Sequence, residues 1–364
     1  MYRLRLRLGA SLSAAVVLAT LAACGDDDDQ NLVVTPITNT TFLQTNLVVD
    51  AAPLTGVTVD PNLVNPWGLA FGPDGAVWSA NNGTGTATFY TQTGTKLDPT
   101  VSIPSSVAGE PGVPTGMIYN TSPDFVIPGT GVNPPIGAAT MIVAGEDGTI
   151  SAWNPTAGSS AVLVSDRSAD GAVYKGIASG LNGDAMLLYV TNIKQNSVDV
   201  FDAGFHLVNS FTDSSVPAGY APFGIQNVDN QLFVTFAKQK GPDNEDDDPG
   251  VGNGFVDVFT TAGVLVRRFA SNGALNSPWG VAVAPATFGK FGGTILIGNF
   301  GDGMIGAYNR ATGALVELLR APGGAPITIQ GLWSLAFAPG TTTLFFTAGP
   351  SDEAHGLLGT LTPR

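Results

Sequence analysis

Six near-copies of one four-strand pattern run through the chain. They are plainest in Asn65-Pro66-Trp67-Gly68-Leu69-Ala70-Phe71 and Ser277-Pro278-Trp279-Gly280-Val281-Ala282-Val283. Aligned on the small residue after the Trp, the copies are anchored at Gly68, Gly116, Gly176, Gly224, Gly280 and Ser334, with spacings of 48, 60, 48, 56 and 54 residues. A repeat of this length is one supersecondary unit that buries its faces only against its neighbours. Each anchor opens an apolar run, then a turn such as Pro73-Asp74-Gly75, then a second strand such as Leu232-Phe233-Val234-Thr235. A third strand ends in an aromatic, as in Val198-Asp199-Val200-Phe201, and a fourth follows a further turn. The alternation is that of strands rather than helices. The 47 Gly and 25 Pro supply turns for many short strands. These features predict an all-β, six-bladed β-propeller over residues 41–364. The small anchors fit innermost strands, where backbones crowd the axis.

The last copy is one strand short. Leu332–Ala338, Thr343–Ala348 and Gly356–Leu361 make three strands, whereas Phe42-Leu43-Gln44-Thr45-Asn46-Leu47-Val48-Val49 is an unpaired strand at the other end. Pairing the two closes the ring and removes the open edges. The insert Ser122–Pro135 makes the second copy irregular and leaves five or seven blades as alternatives.

Residues 1–23 read as a targeting leader. Arg3, Arg5 and Arg7 precede the apolar run Leu8–Leu21, and Leu21-Ala22-Ala23-Cys24 matches a bacterial lipobox. Cys24 is the one cysteine of the chain, so it is the expected lipidation site and no disulfide forms within one chain. Residues 24–40, with Asp26–Asp29, read as a flexible acidic tether that a lipid would hold at a bacterial membrane, facing periplasm or exterior. The net charge of −14 disfavours nucleic acid, whose affinity rests on cationic contacts to phosphate.

Three segments carry a family resemblance: Asn65-Pro66-Trp67-Gly68-Leu69-Ala70, Thr45-Asn46-Leu47-Val48-Val49-Asp50 and Gly252-Asn253-Gly254-Phe255-Val256-Asp257-Val258-Phe259. With them the stretch from Phe42 to Pro363 resembles a family of secreted bacterial NHL-like β-propellers. The resemblance implies fold and location and brings no reaction. Other members often carry C-terminal sorting tails; none follows Arg364, so the lipobox is expected to anchor instead.

In a propeller, the starts of the inner strands and the loops between second and third strands share one face. The residues before the anchors are Trp67, Thr115, Lys175, Phe223, Trp279 and Trp333. They read either as rings that pack together and seal the channel mouth, or as an aromatic floor for an amphipathic ligand, with Lys175 holding an anionic group. Asn81, Asn192 and Asn299 take equivalent loop positions, as turn caps or as oxygen donors to a cation or hydroxyls. The loop Lys238–Gly254 carries Asp243, Glu245, Asp246, Asp247 and Asp248. Asp243, Asp246 and Asp248 are a candidate Ca²⁺ set, although the EF-hand spacing and its glycine are missing. Asp302, Asp352 and Glu353 add negative potential to the same face.

Catalytic residue types are scarce. His206 and His355 are the two histidines; His206 is expected to face solvent and His355 to sit on the ligand face beside Glu353. No Gly-x-Ser-x-Gly elbow accompanies them, and a His/Cys zinc site has too few ligands. The leading expectation is therefore a monomeric binding or scaffold module for a protein or glycan, without defined catalysis. The alternative is a divalent-metal lactonase- or esterase-like hydrolase using Asn81, Asn192, Asn299 and nearby carboxylates. Trp and Phe at the inner-strand starts count against it, because six-bladed lactonases place Asn or Asp ligands there.

Overall fold

A computed structural model describes residues 41–129 and 134–364. The leader, Cys24 and the tether lie outside the described residues. Five four-stranded antiparallel sheets and one five-stranded sheet follow one another along the chain, a ring of six blades. The inner strands are Pro66–Phe71, Pro114–Tyr119, Tyr174–Asn182, Tyr220–Val228, Pro278–Val283 and Leu332–Phe337.

Closure is as the unpaired strand requires. Phe42–Val49 pairs antiparallel with Leu357–Pro363, from Phe42 opposite Pro363 to Val49 opposite Leu357. A short strand not read from the sequence, Thr58–Val59, adds parallel to its outer edge. Part of the irregular insert of the second blade folds as a two-residue hairpin, Val126–Ile127 with Gly137–Ala138.

Each blade is buried on both faces, and successive residues serve different neighbours. In the second strand of blade 4, Leu232, Val234 and Phe236 pack toward blade 3, whereas Phe233 packs toward blade 5. The same division repeats around the ring and fills all six interfaces with apolar side chains. Fully burying one such side chain contributes about 1.5–3 kcal/mol.

The anchors explain the repeat. A Cβ on Gly68 would lie 2.6 Å from Thr115 O of the next blade, and one on Gly224 would lie 2.3 Å from Trp279 O. The sixth anchor, Ser334, uses its hydroxyl: Oγ donates to Trp67 O at 2.7 Å, across the closure. Thr191 Oγ1 likewise donates to Phe223 O at 2.6 Å, and Thr347 Oγ1 to Trp67 O at 3.0 Å. Main-chain groups at the axis are thus bonded across blades, not left bare.

Blades 3 and 4 also share a charged clamp. Arg268 pairs with the fully buried Asp257 and, at 2.7 Å, with Asp213. Burial, with the adjacent Asp213 carboxylate, pushes Asp257 up to about 7. Burial opposes it, but hydrogen bonds from Ser215 and Arg268 hold Asp213 down at about 2. Asp257 binds its proton more tightly folded than unfolded, so its contribution to stability is complete below about pH 4 and is lost as pH rises through about 7. Asp213 works in the opposite sense, losing its contribution as pH falls from about 4 toward 2. Asp257→Asn is expected to reduce the fall in melting temperature between pH 4 and 8, as read by circular dichroism melts across that range.

Candidate functional site

The channel mouth is closed by aromatic rings. Trp67 stacks on Trp333 at a centroid distance of 3.6 Å, and Trp333 stacks on Phe300 at 4.0 Å. Trp279 meets Trp67 and Trp333 edge-on at 5.3 and 5.2 Å, and Phe223 meets Trp279 edge-on at 4.9 Å. Trp67, Phe223, Trp279 and Trp333 are between 0 and 5% exposed. The rings cover one another, so the open floor read as one option in the sequence is a sealed plug. Six inward-leaning strands bring the rings to one axis, and mutual stacking consumes the faces a ligand would use. Below the plug the channel continues as a cavity of about 350 Å³.

Lys175 is part of this closure. Its ammonium lies 4.8 Å over the Trp67 ring, 2.5 Å from Glu146 Oε1 and 3.7 Å from Asp246 Oδ1. Burial alone would push its pKa down; the Glu146 and Asp246 charges reverse that and hold it above the ordinary lysine value. The side chain is fully buried and its charge is met by protein carboxylates. It is therefore no free anchor for an anionic ligand.

The three loop asparagines are engaged as turn and strand caps. Asn81 Nδ2 donates to Thr86 and Thr88, and its Oδ1 accepts from Ser79 Oγ. Asn192 Oδ1 accepts from the Val173 and Gln195 amides. Asn299 Oδ1 accepts from the Asn276 amide. A metal would have to displace these bonds at buried side chains.

The calcium reading meets a similar arrangement. Asp248 pairs with Lys238 at 2.5 Å, Asp246 lies beside Lys175, and Asp243 is exposed. Among the described residues no three His, Cys, Asp or Glu side chains converge as a metal cage requires. Asp243, Asp246 and Asp248 thus form no ligand set: lysines of the same face have taken two of them.

His206 stands in solvent with 79% of its side chain exposed. His355 Nδ1 lies 2.9 Å from Asp50 Oδ2, and Asp50 Oδ1 accepts from the Gly356 amide. This pair ties the closing strand to the last blade. No serine or threonine hydroxyl is bonded to His355 among the described residues.

What the mouth presents to solvent is a cleft of about 410 Å³ over the edge of the plug. Asp246, Asp247, Asp302, Asp352 and Glu353 line it together with Phe300 and one cation, Lys240. Asp247 is 3% exposed, and its Oδ2, like the neighbouring Ser277 Oγ, has no hydrogen-bond partner among the described residues. Burial pushes the Asp247 carboxyl up to about 7; Asp246 adds to the shift, whereas Lys175 and Ser277, the latter outside hydrogen-bond geometry, temper it. Glu353 is raised by burial and then by the Asp246 and Glu146 charges.

A polar circuit holds these groups. Asn65 Nδ2 donates to Glu353 Oε2 at 2.8 Å, and Asn65 Oδ1 accepts from Trp333 Nε1 at 3.0 Å. Asn82 Nδ2 donates to Glu146 Oε2 at 2.8 Å. The backbone is unusual at the same places. Asn65 and Ser277, each before the proline of a repeat, have φ of +45° and +46°. Ser351, Asp352 and Glu353 follow one another at +60°, +52° and +66°. Left-handed residues in a row without glycine are costly and persist where their surroundings hold them.

Sequence reading missed Asn65, Asn82, Glu146 and Ser277 as members of this site. Asn65 and Ser277 head the two clearest repeats, so their shared position was the available signal. Glu146 had none beyond lying in a second-to-third loop.

No protein-family model matches the chain. It is 32% identical over 315 residues to the uncharacterized protein R648 of Acanthamoeba polyphaga mimivirus, covering 83% of this chain and 76% of that one. It is equally identical over 315 residues to that virus's uncharacterized protein L690, covering 83% and 81%. These relatives are viral, whereas the sequence resemblance pointed to secreted bacterial proteins. Among solved structures, a streptogramin B lyase superposes with a TM-score of 0.54 at 13% identity, over 90% of this chain and 99% of that chain. A soluble aldose sugar dehydrogenase from Escherichia coli superposes with a TM-score of 0.51 at 13% identity, over 89% and 100%. At that identity the likeness is one of fold.

Proposed function

The chain belongs to the β-propeller family of the mimivirus proteins R648 and L690, and we propose that it is a binding module that holds a basic segment of a partner protein in its acidic channel mouth. The observation that carries this reading is Asp247: a buried carboxyl with an unpartnered oxygen, in the wall of a cleft edged by Asp246, Asp302, Asp352 and Glu353. Carboxylates spread over a cleft, without the convergence a small metal ion needs, suit an ammonium or guanidinium carried by a longer chain. The sealed plug takes away the ring faces a stacked glycan would use and leaves a rigid floor. In this reading lipid on Cys24 tethers the propeller to a bacterial membrane.

The reading is tested with hexalysine amide as probe. Calorimetric titration of the full chain is expected to give saturable binding that weakens with salt. Asp352→Asn combined with Glu353→Gln should loosen it about fivefold, from two lost charges at the edge of the cleft. Equal affinity of the double variant and the parent would remove the mouth as the site. Turnover of lactones or esters abolished by a chelator would favour the hydrolase alternative.

A further inference from the structure

The outer strands of blades 4 and 5, Leu265–Ser271 and Leu315–Leu318, form one stretch of the propeller rim. Arg267 ties them together: its Nη1 and Nη2 donate to Ala311 O and Arg310 O of the neighbouring blade at 2.9 and 2.8 Å. Each strand is bulged. Val258 faces Arg267 and Phe259 faces Leu265, so Val266 has no partner across the ladder. Val316 is left out in the same way between Leu315 and Glu317. The equivalent residue of the closing blade, Leu47, is covered at 7% exposure. Val266 and Val316 stay 46 and 53% exposed, beside Val264, Leu265 and Leu315. Five of the thirteen large apolar side chains exposed among the described residues thus lie on this one stretch.

Positive charge gathers at the same place. The chain is acidic overall, at −14, yet four of the twelve Lys and Arg among the described residues, Arg267, Lys290, Arg310 and Arg320, border these side chains. Lys290 Nζ and Arg320 Nε both meet Glu317 at 2.7 Å, next to Val316, and Arg310 pairs with Asp229. No carboxylate pairs with Arg267 among the described residues, since its partners are main-chain carbonyls. Four cations against two carboxylates leave a net charge of +2. The bulges interrupt the row of main-chain donors and acceptors, so this edge is a poor template for an added strand. Branched apolar side chains set among cations suit a bilayer surface instead: the apolar groups enter the headgroup boundary and the cations meet phosphates. The described chain also begins here, because Phe42 N donates to Arg320 O at 2.8 Å.

We propose that the rim of blades 4 and 5 is a docking surface for a bilayer with anionic lipid headgroups, and that it orients the tethered propeller on that bilayer. The orienting role rests on the Cys24 tether of the function proposed above; the surface itself does not. Residues 24–40 span at most about 60 Å when extended. A lipid on Cys24 therefore holds the rim at high effective concentration near the bilayer, where weak contacts suffice.

The test uses the full chain with Cys24→Ser, which removes the lipid, and one new cysteine labelled with bimane: Val264→Cys, Val316→Cys, Val57→Cys or Asp352→Cys. The labels read which face meets a bilayer, whatever brings the chain to it. The probe is a vesicle of phosphatidylcholine with phosphatidylglycerol, carrying a nitroxide lipid as quencher. The labels at Val264 and Val316 are expected to shift to the blue saturably and to be quenched, whereas those at Val57 and Asp352 do neither. Arg310→Gln with Arg320→Gln should weaken docking about fivefold, and Val266→Ser with Leu315→Ser about tenfold. Any of four results overturns the proposal: no shift at millimolar lipid, equal quenching of all four labels, an equal shift on vesicles without phosphatidylglycerol, or a shift that follows protein concentration with no vesicles present, which marks a second copy as the occupant. Hexalysine binding by the same proteins reads the acidic mouth separately, so failure of one surface is told apart from failure of the other.

Discussion

Gly224→Ala is expected to destabilise the propeller by about 3 kcal/mol, the upper part of the range for overpacking in a closed interior. The added methyl would lie 2.3 Å from Trp279 O and 3.0 Å from Thr235 Oγ1. Neither neighbour can yield cheaply. Trp279 O belongs to the inner strand of the next blade, and Thr235 Oγ1 accepts the Gly224 amide at 2.8 Å. Relief requires two inner strands to part, and a closed ring passes that strain to every other interface. A melting temperature lower by about 4 °C should follow. Gly323→Ala is the matched control, because nothing lies within 4 Å of a Cβ at that position. It should change stability by no more than about 0.5 kcal/mol. Equal melts for the two variants would mean that the axis is not as tightly packed as the close approach implies.

Lys175→Met should tighten hexalysine binding about tenfold while leaving the fold intact. The lysine is a full positive charge, buried 3.7 Å from Asp246 of the acidic cleft wall. At a separation of about 8 Å and an effective dielectric constant of about 30, one charge is worth about 1.4 kcal/mol, or a factor of ten. Methionine keeps the chain length against Trp67 and is polarizable enough to fill the same space. The freed Glu146 and Asp246 are 29% and 51% exposed, so water takes the place of the ammonium. The sign is the informative part. Were Lys175 the anchor for an anionic group, as its lone positive charge among the inner-strand starts suggests, the same change would abolish binding of an anionic ligand and leave hexalysine unaffected. Calorimetry on both proteins reads the difference.

Period and closure were legible because each depends on local pattern. The anchors recur because backbones meet at the axis, and Phe42–Val49 reads as a strand whether or not its partner is known. The recurrence of Trp67, Trp279 and Trp333 was equally visible, yet its meaning was not. Whether rings from several blades leave a floor or stack into a plug depends on how far apart the strands stand, which no repeat spacing records. The asparagines show the same limit: Asn81, Asn192 and Asn299 sit where expected, but their oxygens belong to Ser79 and to main-chain amides. The left-handed turn Ser351–Glu353 has no glycine to announce it, so the residue that brings Glu353 against Asn65 could not be read in advance. Of the carboxylates in the loop Lys238–Gly254, the one that matters most for the proposed site is Asp247, the member the candidate calcium set omitted.

The most direct test is a crystal structure of the full chain with hexalysine amide. The account predicts the peptide lying across the cleft beside Asp302 and Glu353, one ammonium within hydrogen-bond distance of Asp247 Oδ2, and the tryptophan plug still closed. A peptide bound on another face, or a mouth in which Trp67, Trp279 and Trp333 have swung apart to take it, would contradict it.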